Sequence, residues 1–412
     1  MDKRDNKTPR IRFPEFKEDW EHKKLSDLLQ VSKKKNKDLK YSKEDVLSVS
    51  GQSGIVNQIK HMGRSYAGVS VHNYGVVEIG DIVYTKSPLK SNPYGIIKLN
   101  KGLPGIVSTL YAIYKVKEVC ADGEFIEHYF SLDANTNRYL RPLVRKGAKN
   151  DMKINNEYVL HDRIFFPQKE EQKRIADTFN KIDLKVKWLK EKKLLMESYK
   201  KGVMQRIFSQ EIRFKNDNGE NFPEWETKKL EDIAVFKKGK GVSKSEVSES
   251  GSNACIRYGE LYTTYNEVIS NIKSKTGLSK EDCFLSKKND VIIPSSGESP
   301  LDIATASCVM KNDIILGGDI NVIRSSMNGI FLSYLLNTKM KLQIAALAQG
   351  SSVIHLYSSQ LAKLKIPCPK FEEQAKIADF LSNFNEKIDH VESLVFKTLN
   401  YKKALLQQMF CY

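Results

Sequence analysis

The segment Glu170-Glu171-Gln172-Lys173-Arg174-Ile175-Ala176-Asp177 occurs a second time as Glu372-Glu373-Gln374-Ala375-Lys376-Ile377-Ala378-Asp379. The offset is 202 positions (372 − 170 = 202), and the similarity continues without a gap to Phe208 and Phe410. In both copies apolar residues recur at alternating steps of three and four, which is the 3.5-residue period of a coiled-coil seam. The repeat therefore predicts two long helices, 170–208 and 372–410, that pair with each other.

The expected pairing rests on one apolar stripe in each copy. A helix of 39 residues (208 − 170 + 1 = 39) is roughly 58 Å long at about 1.5 Å per residue, and neither helix can bury its stripe alone. Lys200 and Lys402 interrupt the stripe at equivalent positions, which favours one register over the others. A helical hairpin that only holds the protein together is the simpler alternative. The predicted helix-pairing residues are Ile175, Phe179, Ile182, Val186, Leu189 and Val203 in the first copy and Ile377, Leu381, Phe384, Ile388, Val391 and Leu405 in the second.

The repeat extends to the segments that precede the helices. Phe13-Pro14-Glu15 and the following Trp20 have a counterpart in Phe222-Pro223-Glu224-Trp225. Each repeat thus consists of a leading segment, a globular body and a long helix, with expected boundaries at 1–168, 169–209, 210–368 and 369–412. The predicted fold class is α+β: two globular mixed α/β domains separated by two long antiparallel coiled-coil helices, with an internal pseudo-twofold repeat.

Within the bodies, short β runs alternate with turn signals and are followed by a helix. In the first body the predicted strands lie at 46–49, 75–79, 82–84, 96–99 and 106–114, and a helix is predicted at 124–139. The second body repeats Gly80-Asp81-Ile82-Val83 as Asn289-Asp290-Val291-Ile292, and its predicted helix lies at 331–348. The two bodies are therefore expected to share one architecture.

The charge of the chain favours a polyanionic partner. Lys and Arg number 67 against 50 Asp and Glu, a formal net charge of +17, and nucleic acid is the first candidate. The polar start of the chain and the lack of any run of about 18 apolar residues predict neither a secretory signal nor a membrane span. The six cysteines and seven histidines are scattered, which suits reduced thiols in a cytoplasmic protein and predicts no metal site.

Three motifs that could indicate an enzyme are each incomplete. Asn92-Pro93-Tyr94 lacks the second proline of the Asn-Pro-Pro-Tyr loop of adenine methyltransferases. The segment 239–245 ends in Lys-Ser, as a phosphate-binding loop does, but Ser243 stands where that loop needs glycine. Asp290 with Glu298 lacks the spaced lysine of a nuclease site, so a solvated turn carboxylate is the expected role of Asp290. No catalytic residue is predicted.

Lysine-rich loops are the stronger signal, because a flexible backbone that carries ammonium groups can approach DNA phosphates closely. The predicted phosphate-contact residues are Lys33, Lys34, Lys35 and Lys37 in the first body and Lys237, Lys238, Lys240 and Lys244 in the second. A solvated charge run is the alternative.

Base reading needs donors and acceptors, or a forked side chain, on loops and strand ends. The predicted base-reading residues of the first body are Lys86, Ser87, Lys90, Asn92, Arg145, Lys149 and Asn150. Those of the second body are Arg257, Tyr258, Ser295, Ser296, Glu298, Gln349, Ser351, Ser352 and His355. For any single one of them, an ordinary surface residue is the alternative.

Taken together, these features resemble the specificity (S) subunits of type I restriction-modification systems over nearly the whole chain. The most specific parts are the two helix starts, from Pro167 and Pro369 through the Glu-Glu-Gln motifs, followed by the segments around Trp20 and Trp225 and by Gly350-Ser351-Ser352. Gly147-Ala148-Lys149 departs from the pattern, because no Ser or Thr follows the glycine.

The resemblance implies a non-catalytic, sequence-specific DNA-binding subunit. Each body would be a target recognition domain that reads one half of a bipartite double-stranded DNA site. The paired helices would set the spacer and dock two methylation subunits, and motor and endonuclease subunits would join the complex. S-adenosylmethionine, ATP and magnesium would belong to those partners, and no cofactor would bind this chain. A helix of roughly 58 Å caps the half-site separation at roughly 17 base pairs, at about 3.4 Å per pair.

Two other functions fit part of the pattern. A free-standing two-domain DNA-binding regulator would have the same basic loops and repeat but no enzyme partners. An enzyme that acts on DNA would have to use the incomplete motifs described above.

Overall fold

The structure, a computed structural model, describes residues 7–68, 70–146 and 152–411. It forms two compact units: unit 1 comprises Met1–Lys190 and Ser393–Tyr412, and unit 2 comprises Glu191–Glu392. The limits of the units are related by the sequence repeat, since 392 − 190 = 202 and 393 − 191 = 202. Each long helix is divided between the units, whereas the predicted boundaries keep each helix whole.

Unit 1 consists of short strands and short helices together with parts of both long helices. Its strands are β1 (Glu21–Lys24), β2 (Leu29–Val31), β3 (Leu47–Ser50), β4 (Gly54–Asn57), β5 (Gly75–Val77), β6 (Ile82–Thr85), β7 (Ile96–Leu99), β8 (Gly105–Val107), β9 (Tyr111–Val116), β10 (Arg145–Lys146), β11 (Met152–Lys153) and β12 (Arg163–Phe166). Its helices are α1 (Leu25–Leu28), α2 (Gln58–Met62), α3 (Gly123–Phe130), α4 (Asp133–Leu140) and the first part of α5 (Lys169–Phe208).

The main sheet of unit 1 has the strand order β2-β9-β6-β7, and all neighbouring strands are antiparallel. Strand β6 is buried along its whole length, as expected for an apolar strand in the interior of a sheet. Strands β1 and β12 form an antiparallel ribbon that joins the leading segment to the strand before α5. This ribbon places the start of the long helix next to the start of the body.

Unit 2 is built in the same way. Its strands are β13 (Glu226–Lys229), β14 (Ala234–Lys238), β15 (Asn253–Ile256), β16 (Val268–Ile269), β17 (Ser274–Thr276), β18 (Phe284–Leu285), β19 (Asp290–Pro294), β20 (Ser296–Gly297), β21 (Ser307–Val309), β22 (Ile315–Leu316), β23 (Ile320–Ser325), β24 (Ile354–His355) and β25 (Lys365–Cys368). Its helices are α6 (Leu230–Ile233), α7 (Glu260–Thr263), α8 (Pro300–Ile303), α9 (Gly329–Asn337), α10 (Lys341–Ala346), α11 (Ser358–Ala362) and the first part of α12 (Phe371–Met409).

The main sheet of unit 2 has the order β14-β23-β19-β21-β16. Its first four strands repeat the antiparallel arrangement of β2-β9-β6-β7, and β16 is added parallel to β21. A second sheet has the order β17-β15-β22-β18, and the ribbon β13-β25 repeats β1-β12. The prediction of mixed α/β bodies with long helices is confirmed, and each observed long helix begins one residue before its prediction.

One predicted helix of the first body is divided in two. In place of a single helix at 124–139 the chain forms α3 and α4. The side chains of Asn135 and Thr136 donate to the carbonyls of Tyr129 and Phe130 at 2.9 and 2.6 Å, which satisfies the carboxyl end of α3. Side-chain hydrogen bonds therefore end α3, although the apolar pattern predicts that the helix continues to residue 139.

Two further predicted elements are also divided. The predicted helix at 331–348 is α9 followed by α10, because Asn337 at the end of α9 turns its amide to the backbone of Ala306, at 2.9 and 2.6 Å. The predicted strand at 106–114 is β8 followed by β9, with a tight turn between them.

The turns that lead into β6 and β19 hold a buried carboxylate. Asp81 and Asp290 are 2% and 1% exposed, and the residue before each has a left-handed φ, of 86° and 80°. Arg324 donates to both carboxylate oxygens of Asp290 at 2.8 and 2.7 Å, and Lys115 lies 2.8 Å from a carboxylate oxygen of Asp81. The expectation of a solvated carboxylate at Asp290 is therefore wrong, because the group is buried against a cation of the adjacent strand.

The repeated Glu-Glu-Gln motif fixes the start of each long helix to the leading segment of its own repeat. Its second glutamate is buried in both units, with 1% of Glu171 and none of Glu373 exposed. Arg12 donates to both oxygens of Glu171 at 2.8 Å each, and Arg213 donates to those of Glu373 at 3.2 and 3.0 Å. Glu373 also accepts a hydrogen bond from the indole of Trp225 at 3.0 Å.

The glutamine of the motif joins the same helix start to the body. In both units its amide nitrogen donates to the carbonyl of the proline five residues earlier, at 2.8 Å. The amide oxygen of Gln172 accepts the backbone N–H of Asp122 at 2.7 Å, and that of Gln374 accepts the N–H of Asn328 at 2.9 Å. These contacts explain why the motif is repeated without change.

Lys200 and Lys402, which are predicted to fix the helix register, are bound at equivalent positions. In unit 1 the ammonium of Lys402 lies 2.5 and 2.6 Å from the carboxylate oxygens of Asp183. In unit 2 Lys200 donates to the side-chain oxygen of Asn385 at 2.7 Å and lies 3.1 Å from a carboxylate oxygen of Glu267. Both helix contacts have the same sum of residue numbers (183 + 402 = 585 and 200 + 385 = 585), so in each unit the helix segments run antiparallel in one register.

Most of the predicted helix-pairing residues are buried, but many of them also face a body. Ile175, Phe179, Ile182 and Leu405 lie in or against the core of unit 1, and Val203, Ile377 and Leu381 lie in the core of unit 2. Phe384 packs on Tyr199, with 5.6 Å between the ring centroids, and Val186, Ile388 and Val391 are buried while Leu189 is half-buried. The helix ends thus belong to the cores of the units as well as to the helix pair.

His128, on α3, is buried among the helix ends of unit 1. Its ring lies 5.2 Å from that of Phe179, and its Nε2 lies 3.0 Å from the side-chain oxygen of Asn180. Because the amide of Asn180 donates to Glu124, its oxygen accepts and Nε2 of His128 carries the hydrogen. Burial, followed by the nearby Lys402, lowers the pKa of His128 to about 4.

We expect Glu373→Ala to destabilise unit 2 by about 3–5 kcal/mol, because it leaves the guanidinium of Arg213 without its buried counter-ion and the indole of Trp225 without its acceptor. Urea unfolding measures the change. Glu372→Ala is the matched control, since this neighbouring glutamate is exposed, and it should change the free energy of unfolding by less than about 1 kcal/mol. Equal effects of the two variants would contradict the role given to Glu373.

We expect the stability of unit 1 to fall as the pH falls from about 7 to about 5. The pKa of His128 is lowered from 6.5 to about 4 by folding, so the unfolded chain binds the proton first and acid favours unfolding. The contribution of His128 to the free energy of unfolding is complete above its pKa in the unfolded chain. This contribution is lost as the pH falls towards its pKa in the folded protein. In urea unfolding at several pH values, His128→Gln should flatten this dependence, and an unchanged slope would contradict the assignment.

Candidate nucleic-acid interface

The two main sheets place the predicted DNA-binding loops at one edge of each unit. In unit 1, β2 and β6 are both antiparallel to β9, so their carboxyl ends lie at the same edge, where residues 32–45 and 86–95 follow. In unit 2, β14 and β19 are both antiparallel to β23, and residues 239–246 and 295–299 follow at the corresponding edge. We call this side of each unit its loop edge. The predicted phosphate-contact and base-reading segments therefore converge in equivalent places.

In unit 2, a turn at Gly317–Asp319 connects the separate segments of the loop edge. The N–H of Lys240 donates to the carbonyl of Leu316, and the N–H of Gly318 donates to that of Gly241, each at 2.9 Å. On the other side of the turn, the N–H of Ser295 donates to the carbonyl of Asp319 at 2.9 Å. The consecutive glycines 317 and 318 are a turn signal, but nothing in the sequence pattern indicates that this turn joins the separate segments.

The segment around Gly350 joins the same edge. Strand β20 pairs with β24, which sets Ser296 opposite His355, and Gln349 and His355 exchange two backbone hydrogen bonds of 2.9 and 2.7 Å. Glu298, Gln349, Ser351, Ser352 and His355 are exposed. The structure thus brings together residues that are more than 50 positions apart in the sequence (349 − 298 = 51).

The lysine side chains are available at both loop edges. Lys33, Lys35 and Lys37 are exposed in unit 1, and Lys237, Lys238, Lys240 and Lys244 are exposed in unit 2. Lys34 differs, because its ammonium lies 2.7 Å from a carboxylate oxygen of Glu78. Hydrogen bonds from Lys115 and then Lys34 lower the pKa of Glu78 to about 2, so this carboxylate keeps its charge and remains paired with the ammonium of Lys34.

The backbone of the second lysine loop is held in place, which corrects the expectation of a flexible loop. Besides the bonds to the Gly317–Asp319 turn, the N–H of Gly239 donates to the carbonyl of Ile320 at 2.9 Å. A Cβ atom at Gly239 would lie 2.1 Å from the carbonyl oxygen of Gly317, so only glycine fits there. The glycines of this loop therefore allow close backbone packing. The lysine side chains extend from a backbone that is held in place by hydrogen bonds.

In unit 1, the loop after β6 and the β10-β11 hairpin lie close together. The hydroxyl of Tyr84 donates to the carbonyl of Tyr94 at 2.7 Å and lies 4.0 Å from the sulfur of Met152. Ser87, Lys90 and Arg145 are exposed and Lys86 is half-buried. The predicted residues Lys149 and Asn150 lie outside the described residues.

The prediction of base reading is wrong for three residues, because they are buried. Asn92, Ser295 and Ser296 are 5%, 6% and 6% exposed. The carbonyl of Asn92 accepts the N–H groups of Leu89 and Gly95, at 3.0 Å each, so the residue shapes its loop. Ser295 and Ser296 leave β19 beneath the surface, and their side chains are not presented to a DNA groove. The half-buried Arg257 and the exposed Tyr258 remain at the surface.

One exposed lysine of the first loop edge was missed. Ser42-Lys43-Glu44-Asp45-Val46 and Ser243-Lys244-Ser245-Glu246-Val247 form the same single helical turn, with a capping box between the serine and the acidic residue three positions later. Lys43 is therefore the counterpart of Lys244 and is exposed as well. The pattern Ser-Lys-x-acid-Val is present in both repeats, and it could have indicated Lys43 from the sequence.

Other kinds of site find little support among the described residues. Over 7–68, 70–146 and 152–411, no group of three or more His, Cys, Asp or Glu side chains could hold a metal ion. All six cysteines are free thiols. In the same ranges, no helix combines the length and apolar character needed to cross a membrane.

Comparison with known proteins shows which proteins the chain is similar to. Residues 223–394 match the family described as the type I restriction modification DNA specificity domain. A Methanocaldococcus jannaschii protein that bears the name of the type I restriction enzyme MjaX specificity subunit is 23% identical over 401 residues, which cover 91% of this chain and 89% of the relative. Residues 223–394 thus match this family, and the chain is similar over most of its length to a type I restriction enzyme specificity subunit.

Three further likenesses agree with this match. The type I restriction enzyme MjaVIII specificity subunit of the same organism is 25% identical over 244 residues, covering 55% of this chain and 56% of the relative. The crystal structure of a type I restriction-modification S subunit from M. genitalium has the same fold, with a TM-score of 0.58 at 14% identity, and the match covers 98% of this chain and 99% of that one. A chain from a study of complex assembly in a type I system gives a TM-score of 0.53 at 15% identity, over 95% of this chain and 96% of that one.

We expect simultaneous replacement of Lys237, Lys238, Lys240 and Lys244 by alanine to weaken binding to all DNA sequences alike. Each lost phosphate contact should reduce the slope of log K against log salt by about 0.9. Fluorescence anisotropy titrations over a salt series measure both effects. The control is Lys287→Ala with Lys288→Ala, which removes two exposed lysines at the opposite end of β19. An equal loss in the control would contradict the placement of DNA at the loop edge.

Proposed function

We propose that this chain is the DNA-recognition subunit of a type I restriction-modification complex, and that each unit reads one half of a bipartite double-stranded DNA site. The observation that carries the proposal is the repeated loop edge, where exposed lysines and polar side chains follow equivalent strands in both units. Lysines bind phosphates without regard to sequence and fix the register, and the neighbouring polar side chains read base edges. Two such edges on one chain suit a target with two separate halves.

The long helices carry a second repeated feature, which supports docking of two copies of one partner. Leu194 and Phe396 are equivalent positions (396 − 194 = 202) and are 65% and 66% exposed. Tyr199 and Tyr401 are likewise equivalent and are 60% and 58% exposed. Exposed apolar side chains of this size on a helix are typical of protein contacts. We assign these surfaces to two methylation subunits and assign the spacing of the half-sites to the helix pair.

Catalysis is assigned to the partner subunits. In this proposal S-adenosylmethionine belongs to the methylation subunits, and ATP and magnesium belong to the motor and endonuclease subunits. The chain itself supplies the DNA sequence preference of the complex. A free-standing regulator without enzyme partners would not need the two exposed apolar helix surfaces, and the specificity-subunit family does not favour it.

We expect exchange of residues 30–165 for the corresponding body of another specificity subunit to change one half of the methylated sequence and to leave the other half unchanged. The physical reason is that each loop edge is built from the strands of one body only. Methylome sequencing of cells that carry the complete system gives both halves at once. A change in both halves would contradict independent reading by the two units.

The role of the helices has its own test in the same cells. Alanine at Leu194, Tyr199, Phe396 and Tyr401 should abolish methylation and co-purification of the methylation subunit while the purified chain still binds DNA. Methylation that persists at the normal level would contradict docking on these surfaces. Methylation of an interrupted site by the methylation subunit alone would contradict the proposed function as a whole.

A further inference from the structure

Arg257 lies at the loop edge of unit 2, beside the Gly317–Asp319 turn. It follows β15, whose last residue, Ile256, accepts the N–H of Gly317 at 2.9 Å. A Cβ atom at Gly317 would lie 3.5 Å from the Cα of Arg257, so the arginine backbone packs against the Gly317–Asp319 turn. The same turn is bonded to the lysine loop. Arg257 therefore lies next to the groups that are proposed to hold the DNA backbone.

The hydrogen-bonding capacity of Arg257 is largely unused. Residues 230–366, all of which the structure describes, contain two arginines. Arg324 is held by paired bonds from its Nε and Nη2 to the buried carboxylate of Asp290, at 2.8 and 2.7 Å. The Nη2 of Arg257 lies 3.8 Å from a carboxylate oxygen of Glu260, and its Nε is buried without a hydrogen-bond partner. With 26% of the side chain exposed, the terminal nitrogens can bind a pair of acceptors from outside.

Glu260 holds this arginine in place. The carboxylate is 6% exposed, and one of its oxygens accepts the backbone N–H of Arg257 at 2.8 Å. The other oxygen accepts a hydrogen bond from the hydroxyl of Ser274 and faces the guanidinium. Glu260 thus fixes the backbone of Arg257 and lies on one side of its fork, but it does not form the paired bonds that occupy Arg324.

We propose that Arg257 reads a guanine in the half-site bound by unit 2, with Glu260 as its positioning residue. The inference rests on the proposed DNA-reading function. In the major groove guanine presents two acceptors, O6 and N7, and no other base offers two acceptors there. Two terminal N–H groups of an arginine fork match this pair, whereas the single ammonium of a lysine cannot form the same paired bonds.

The test is selection from a random duplex library by the complete complex, with wild-type chain, Arg257→Ala, Arg257→Lys and Glu260→Gln. The wild type should prefer guanine by roughly 10- to 100-fold at one position of the second half-site. Arg257→Ala and Arg257→Lys should reduce the preference at that position to below about 3-fold and leave the first half-site intact. Glu260→Gln should give an intermediate loss at the same position. Lys288→Ala, at the opposite end of β19, should retain every preference.

A second measurement alters the DNA and keeps the wild-type protein, so it does not depend on the folding of a variant. Replacement of that guanine by 7-deazaguanine removes the N7 acceptor and keeps base pairing. It should weaken binding of the wild type by roughly 10-fold and leave Arg257→Lys nearly unaffected.

The outcomes separate this inference from the proposed function. If the wild type selects a two-part site and Arg257→Lys retains all its base preferences, the guanine assignment is wrong. A uniform loss of affinity without a change in preference would make Arg257 a phosphate contact and would also overturn it. Selection of no two-part site by the wild type would contradict the proposed function itself.

Discussion

A carboxylate without solvent contact in the first turn of each long helix determines how each repeat is assembled. Such a charge is tolerated in the interior only when it is fully paired. At Glu171 and Glu373 the paired donors come from an arginine of the leading segment, and the adjacent glutamine bonds to the body. Leading segment, body and helix must therefore all be in place at once. The positive end of the helix dipole adds to the stabilisation of the carboxylate.

The arrangement of the loop edge follows from this fixed framework. Next to the ribbon β13-β25, β14 and β19 run in the same direction on either side of β23, and their carboxyl ends lie on one side. The Gly317–Asp319 turn then binds the loops from both strands by backbone hydrogen bonds. Backbone bonds do not depend on which side chains the loops carry. The scaffold can therefore keep its shape while the exposed side chains of the loop edge change.

Some of this architecture could be predicted from the sequence, because the responsible interactions are local or repeated. The two helices follow from apolar periodicity, and the matching lysine loops follow from the repeat. Burial of Ser295 and pairing of Asp290 with Arg324 could not be predicted, since both depend on residues 24 or more positions away (319 − 295 = 24; 324 − 290 = 34). The side chain of Asn135 helps to end α3 by a hydrogen bond, and apolar periodicity does not reveal this bond.

The candidate site was predicted in part for the same reason. Residue type and position in the repeat indicated the lysines, and residue type alone indicated Arg257. The chemistry of these side chains does not depend on distant neighbours. The Gly317–Asp319 turn was missed because its importance lies in three backbone contacts to separate segments. Lys43 could have been found, since its Ser-Lys-x-acid-Val pattern is present twice.

The division of the chain into units also bears on the order of folding during synthesis. Unit 2 is a continuous stretch, Glu191–Glu392, whereas unit 1 needs Ser393–Tyr412 in addition to Met1–Lys190. Phe410 packs on Trp20 and Phe125, with 6.4 and 5.2 Å between ring centroids. The core of unit 1 therefore includes a residue that is made 220 positions after the first segment of the unit ends (410 − 190 = 220). On the ribosome, where domains fold as their residues emerge, the second unit is complete first. The apolar core of the first unit remains open until residues 393–412 have been made.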